Sequence, residues 1–253
     1  MVLVLAVALV GGCSMFGKKP DPTKSWSAQR LYRAAKEKLD DGDYETAIGY
    51  YEKLDTRYPF GTLAEQAQLD IAFAYYKFDE PASAVAAADR FIKLHPRHPN
   101  VDYAYYLRGL AHFNQGKAFI DRLVRLDQSD RDTGAASEAF DDFAQLTRRF
   151  PQSRYAPDAR QRMLYLKNTL AAHEVHVAEY YMKRHAYVAA ANRSRYVIEN
   201  YPSTPAVPKA LAIQVKAYRR MGLDKLAADS LRVLRLNYPK MPGIEKLQGT
   251  ATE

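Results

Sequence analysis

The sequence predicts an all-α protein, a superhelix of five helix-pair units, and three observations carry the prediction. First, five ring-plus-proline dipeptides punctuate the chain: Tyr58-Pro59, His95-Pro96, Phe150-Pro151, Tyr201-Pro202 and Tyr238-Pro239. An alanine stands twelve residues before each proline (Ala47, Ala84, Ala139, Ala190, Ala227), and an apolar residue stands five before it (Leu54, Phe91, Leu146, Val197, Leu234). That is one face of a helix, stopped where proline can no longer supply a backbone N–H. Second, a small residue recurs further upstream in each unit as Ala35, Ala72, Gly109 and Ala178, with Val215 in the last. Three positions on stands a ring, Tyr75, His112, Tyr181 or Tyr218, with Lys38 in the first unit. Small residues let two helix axes approach and rings fill the wider gap beside them, so each unit holds a second helix. Third, strand-like alternation bounded by turns is absent.

Taken from the N-terminus, residues 2–10 form an apolar run followed by Gly11-Gly12 and Cys13, the only cysteine. The run is too short to span a bilayer and has the size of a secretory apolar region. Leu9-Val10-Gly11-Gly12-Cys13 resembles the bacterial lipobox, which implies a signal peptide over 1–12 and a covalent lipid of the palmitate class on Cys13. No Lys or Arg precedes the run, so a basic segment is expected upstream of Met1. Several acyl chains on one cysteine hold firmly, because each buried methylene contributes about 0.8 kcal/mol. Ser14 follows Cys13 where an inner-membrane lipoprotein carries aspartate, so the expected address is the periplasmic face of the outer membrane. Residues 13–26, with Lys18, Lys19, Pro20 and Pro22, then read as a lipidated N-terminus and tether.

The units are expected at about 27–59, 60–96, 97–151, 152–202 and 203–239, within a repeat region ending at 240, with a flexible tail over 241–253. Between the helices of a unit, glycine falls seventeen residues before the proline at Gly42, Gly134 and Gly222. Glycine suits the left-handed conformation that ends a helix. Gly42-Asp43-Tyr44-Glu45-Thr46-Ala47, with the framework of small residue, ring, alanine and proline, resembles the tetratricopeptide (TPR) repeat. The prolines at 59 and 96, and those at 202 and 239, are 37 residues apart, against about 34 for that repeat. The third and fourth units span 55 and 51 residues. The surplus falls in residues 116–134, which include Arg122, Arg125, Asp127, Asp130, Arg131 and Asp132, and in residues 156–175, which prolong the first helix of unit four. Stacked repeats bury a shared core and present a groove, which suits binding more than catalysis.

Composition agrees: 253 residues, 47% hydrophobic and 26% charged, are globular material. The net charge of +8 is spread along helices without a run of five, and an exported chain has no use for nucleic acid. There is no G-x-S-x-G, P-loop or G-x-G-x-x-G, and no catalytic constellation. His173, Glu174, His176 and Glu179 lack the spacing of a zinc protease. Asp127, Asp130 and Asp132 fail the EF-hand pattern. No metal or other cofactor is expected. Tyrosine is abundant, 19 against one tryptophan. The doublets Tyr50-Tyr51, Tyr75-Tyr76, Tyr105-Tyr106 and Tyr180-Tyr181 point about 100° apart on a helix, so one ring of each can be core and the other can line a groove.

Several separate runs narrow the field: Arg57-Tyr58-Pro59-Phe60-Gly61, Asp89-Arg90-Phe91-Ile92, His98-Pro99-Asn100-Val101-Asp102-Tyr103, Arg108-Gly109-Leu110, Ser129-Asp130-Arg131-Asp132 and Val177-Ala178-Glu179-Tyr180-Tyr181. Together they are similar to the BamD (ComL) family of TPR lipoproteins over essentially the whole mature chain. The resemblance implies a non-enzymatic scaffold of the outer-membrane β-barrel assembly (BAM) complex. It implies contact with the POTRA region of BamA through C-terminal repeats, and with lipoproteins such as BamC and BamE along the flank. N-terminal repeats would receive unfolded outer-membrane proteins by their aromatic-ended C-terminal signal. Carried onto this sequence, the substrate site falls at Arg57, Tyr58, Phe60, Gly61, Tyr75 and Arg90, and the BamA contact at Asn192 and Arg193 within Tyr187-Val188-Ala189-Ala190-Ala191-Asn192-Arg193. Tyr58 has a competing reading as a core ring, since a ring precedes the proline in every unit. The alternative function is that of another envelope TPR lipoprotein, a secretin pilotin or a peptidoglycan-associated factor.

Overall fold

A computed structural model of the chain describes residues 21–123 and 133–247. Its ten helices run α1 Ala28–Asp40, α2 Tyr44–Arg57, α3 Thr62–Lys77, α4 Pro81–Leu94, α5 Val101–Leu123, α6 Gly134–Arg149, α7 Ala156–Lys183, α8 Tyr187–Asn200, α9 Val207–Arg220 and α10 Asp224–Asn237. No strand occurs among the described residues. Each helix packs on the next in sequence, and the first helices of some consecutive units also touch, α1 with α3, α3 with α5 and α7 with α9. The result is the expected TPR-like stack of helix pairs.

One stop signal recurs. Tyr58, His95, Phe150, Tyr201 and Tyr238 have φ between −122° and −135° and positive ψ, outside the helical region. The following proline excludes the helical conformation for the residue before it. Each of these residues still donates its N–H to the carbonyl four back, that of Leu54, Phe91, Leu146, Val197 or Leu234, at 2.8–2.9 Å. Those same five side chains are fully buried, and the five alanines seven residues earlier are at most 2% exposed. The repeating sequence positions are the core of the stack.

Close approach explains the small residues. Ala35, Ala72, Ala178 and Val215 are fully buried, and a Cβ added to Gly109 would stand 2.7 Å from the Phe143 ring. Unit three therefore has room for glycine alone. Of the tyrosine doublets, Tyr51 and Tyr105 are buried while Tyr50 and Tyr106 are half-buried, the split expected of adjacent helical positions; Tyr75 and Tyr76 are both half-buried, and Tyr180 is exposed beside a half-buried Tyr181.

The inter-helix turn differs from its glycine signature. Gly42 (φ 81°) and Gly222 (φ 70°) are left-handed as expected, but the equivalent places in units two and four are taken by Asp79 (φ 61°) and His185 (φ 58°). Gly134 is instead the first residue of α6. The stretch 124–132 before it, with Arg125, Asp127, Asp130, Arg131 and Asp132, lies outside the described residues, as do Cys13 and the rest of 1–20.

Two short flanking segments among the described residues pack against the helices, one within the expected tether and one within the expected tail. Thr23, in the expected tether, is 1% exposed. Beyond the fifth unit, Ile244–Leu247 form a 3-10 turn whose Ile244 and Leu247 are buried with Val207, Leu211 and Val215 of α9. That part of the expected tail closes the end of the core.

Candidate functional site

Arg57 is the last residue of α2, and its guanidinium faces the segment preceding α1. Its Nη1 donates to the Thr23 carbonyl at 2.5 Å, and its Nη2 donates to Asp21 Oδ2 at 2.6 Å and to Thr23 Oγ1 at 3.2 Å. Lys53, one turn earlier, stands 3.2 Å from Asp21 Oδ1. Tyr58 donates its hydroxyl to the Trp26 carbonyl at 2.9 Å. It is 39% exposed, neither a core ring nor a bare groove ring. The Trp26 ring lies 5.7 Å from that of Tyr50, with the Arg30 guanidinium 4.3 Å from its centroid. Asp21 also accepts the backbone N–H of Thr23 at 3.0 Å and its hydroxyl at 2.8 Å. These two bonds, followed by Lys53, hold its carboxyl far below the usual carboxylate range. Residues 21–26 thus form a strap across the end of α2. Just beyond, Phe60 presents a ring 92% exposed, and Gly61 (φ 97°) opens α3.

Tyr75 and Arg90 belong to a different surface. They line a groove of about 540 Å³ between α2, α3 and α4, together with Glu52, Asp55, Gln68 and Ser83. Tyr75 donates to Glu52 Oε1 at 2.9 Å, and burial followed by Glu52 raises its phenol above the ordinary value. Arg90 Nη2 donates to Asp55 Oδ2 at 3.0 Å, and Gln68 Nε2 to Asp55 Oδ1 at 2.6 Å. Asp55 is 12% exposed and Arg90 60%, so the guanidinium is anchored at one nitrogen and reaches into solvent with the rest. The groove offers hydrogen-bond donors and acceptors on a half-apolar floor. The six residues expected to form one substrate site therefore divide: Thr56 lines the groove, while Arg57, the next residue, holds the strap.

Asn192 and Arg193 do come together. With Tyr181, Ala189 and Tyr196 they line a depression of about 350 Å³ on α7 and α8. Arg193 Nη1 donates to Glu174 Oε2 at 2.9 Å, the arginine 40% and the glutamate 14% exposed. Asn192 Oδ1 accepts from Arg195 Nη2 at 2.9 Å. Glu174, which follows His173 in sequence, serves in the fold to position Arg193. His176 pairs with Glu179 at 3.6 Å, and among the described residues no three His, Cys, Asp or Glu converge as a metal site.

Sequence reasoning missed Asp21, Thr23 and Trp26. The Asp21-Pro22-Thr23 turn was a local signal for an ordered segment, but nothing local indicates its seat more than thirty residues away. Among the described residues no helix is long and apolar enough to cross a membrane.

A family model described as outer membrane lipoprotein, YfiO, matches residues 24–234. The outer membrane protein assembly factor BamD of Neisseria meningitidis serogroup B is 46% identical over 250 residues, covering 96% of this chain and 94% of its own. That of Vibrio cholerae serotype O1 is 41% identical over 234 residues, covering 92% and 96%. A solved TPR protein of Thermus thermophilus aligns over 87% of this chain and 96% of its own at 14% identity, with a TM-score of 0.39, a likeness too loose to bear weight.

Proposed function

The chain belongs to the YfiO family of outer membrane lipoproteins, which includes BamD, and from that premise we propose a scaffold that joins unfolded outer-membrane proteins to BamA. At the coarser level it is an outer membrane protein assembly factor. In the finer reading, Cys13 carries the lipid that holds the chain on the periplasmic face. The α7–α8 depression with Asn192 and Arg193 takes the POTRA region of BamA. The first two units, with Phe60, Tyr75, Arg90 and the Arg57–Tyr58 end of α2, take substrate, and BamC and BamE attach along the flank. The role asked of the chain is binding, without catalysis.

One observation supports this reading above others. Arg90 and Arg193 stand on separate surfaces of one stack, each tied to a single carboxylate through a single nitrogen. A guanidinium has five N–H donors, so each keeps donors for a carboxylate or backbone carbonyl of a partner while its position is set. Two such prepared surfaces on one repeat scaffold suit a protein that holds two partners at once.

The test is the affinity of the chain from Ser14 onward for purified BamA POTRA domains, with a peptide bearing a β-barrel protein's C-terminal signal titrated in parallel. Binding of both is expected. Arg193→Ala should weaken POTRA binding by about tenfold or more, the loss of one charge-assisted contact, with far-UV circular dichroism unchanged. Unaltered affinity would remove Arg193 from the interface.

A further inference from the structure

We propose that the strap 21–26 occupies, as an internal stand-in, the place on α2 that receives an extended peptide, so that substrate binds the first unit by displacing it. This rests on the reading of the N-terminal units as the substrate-receiving end, and adds how that end is regulated.

The strap contacts are those of a bound peptide. A carboxylate (Asp21) and a backbone carbonyl (Thr23) are both taken by Arg57. A second backbone carbonyl (Trp26) is taken by the Tyr58 hydroxyl. An aromatic ring (Trp26) rests between Tyr50 and Arg30. Acidic group, accessible backbone and aromatic ring are also what an unfolded chain with an aromatic-ended signal presents. Backbone carbonyls are common to every peptide, so the donors of Arg57 and Tyr58 suit either occupant.

The strap is also built to leave. Its ion pairs are partly exposed, Arg57 at 26%, Lys53 at 39% and Asp21 at 35%, and such pairs are individually weak. They hold because the strap is continuous with α1 and its effective concentration at the site is high. A ligand meets that competition as a reduced fraction of receptive molecules; an open fraction of about one in ten lowers the apparent affinity about tenfold.

Trp26 is the only tryptophan, so its emission reports the strap alone. The experiment titrates a tryptophan-free synthetic peptide of a β-barrel C-terminal signal into the chain from Ser14 onward. It follows Trp26 emission and the anisotropy of a label on the peptide. The same titrations are run with Asp21→Ala and with Arg57→Ala. The expected result is a red-shifted Trp26 on peptide binding, affinity about tenfold tighter for Asp21→Ala, and affinity lost for Arg57→Ala. Binding that leaves Trp26 unmoved and is equal in the parent and Asp21→Ala overturns the inference, with the substrate-receiving role intact and its site elsewhere, as in the Tyr75–Arg90 groove. Absence of binding to all three chains overturns the role itself, and the inference with it.

Discussion

Asp21 shows how much a single side chain outside the helices can organise. Its carboxylate accepts from its own turn at Thr23 and from Arg57 and Lys53 of α2, and the two Thr23 bonds, followed by Lys53, favour the charged form. Because its folded pKa lies below the ordinary 3.8, the strap contact is complete above that value and is lost as pH falls towards the folded pKa. Trp26 emission should therefore stay constant from neutral pH down to about the ordinary aspartate value and shift only below it, ahead of the far-UV signal. In Asp21→Asn that shift should be absent. A transition near neutral pH would contradict the assignment. Arg193 illustrates the opposite case: the residue was singled out in the sequence, but the carboxylate that holds it was not. Glu174 lies nineteen positions earlier and reaches it only because α7 and α8 pack side by side.

At the scale of the element, the repeat is set by its stops. Proline supplies one at the end of each unit in all five, and there sequence and structure agree residue for residue. The left-handed turn between helices is less legible. Gly42 and Gly222 announce it, whereas Asp79 and His185 adopt it without a glycine to mark the place. An alanine Cβ in this conformation costs about 1–2 kcal/mol, so Gly42→Ala should lower stability by that amount. Asp79→Gly should raise it by less, since glycine's freedom in the unfolded chain offsets part of the relief. Thermal and urea denaturation of the two variants tests the pair; equal and opposite changes, or a destabilising Asp79→Gly, would show that the turn is held by other contacts.

At the scale of the whole molecule, a repeat stack needs its ends closed, because the terminal units lack a neighbour to cover their apolar faces. The strap lies at one end and Ile244–Leu247 at the other. Truncation after Lys240 uncovers Val207 and Leu211, neighbours of Ile244 and Leu247. It should cost about 2 kcal/mol once the entropy of ordering the segment is set against the burial, read as a lowered Tm with helical content little changed. An unchanged Tm would return these residues to the status of a loose tail. Neither closure was legible in sequence, and the substrate residues placed together by resemblance divide between the strap and the groove. The reason is physical. Helix type, unit length, core face and stops are encoded within one or two turns of chain, where hydrophobic period and proline sterics act, and family membership follows from many such local runs. Which surface a polar side chain faces, and whether a flanking segment docks or drifts, depends on partners thirty or more residues away, as Arg57 and Asp21 are. Those pairings exist only once the helices have stacked.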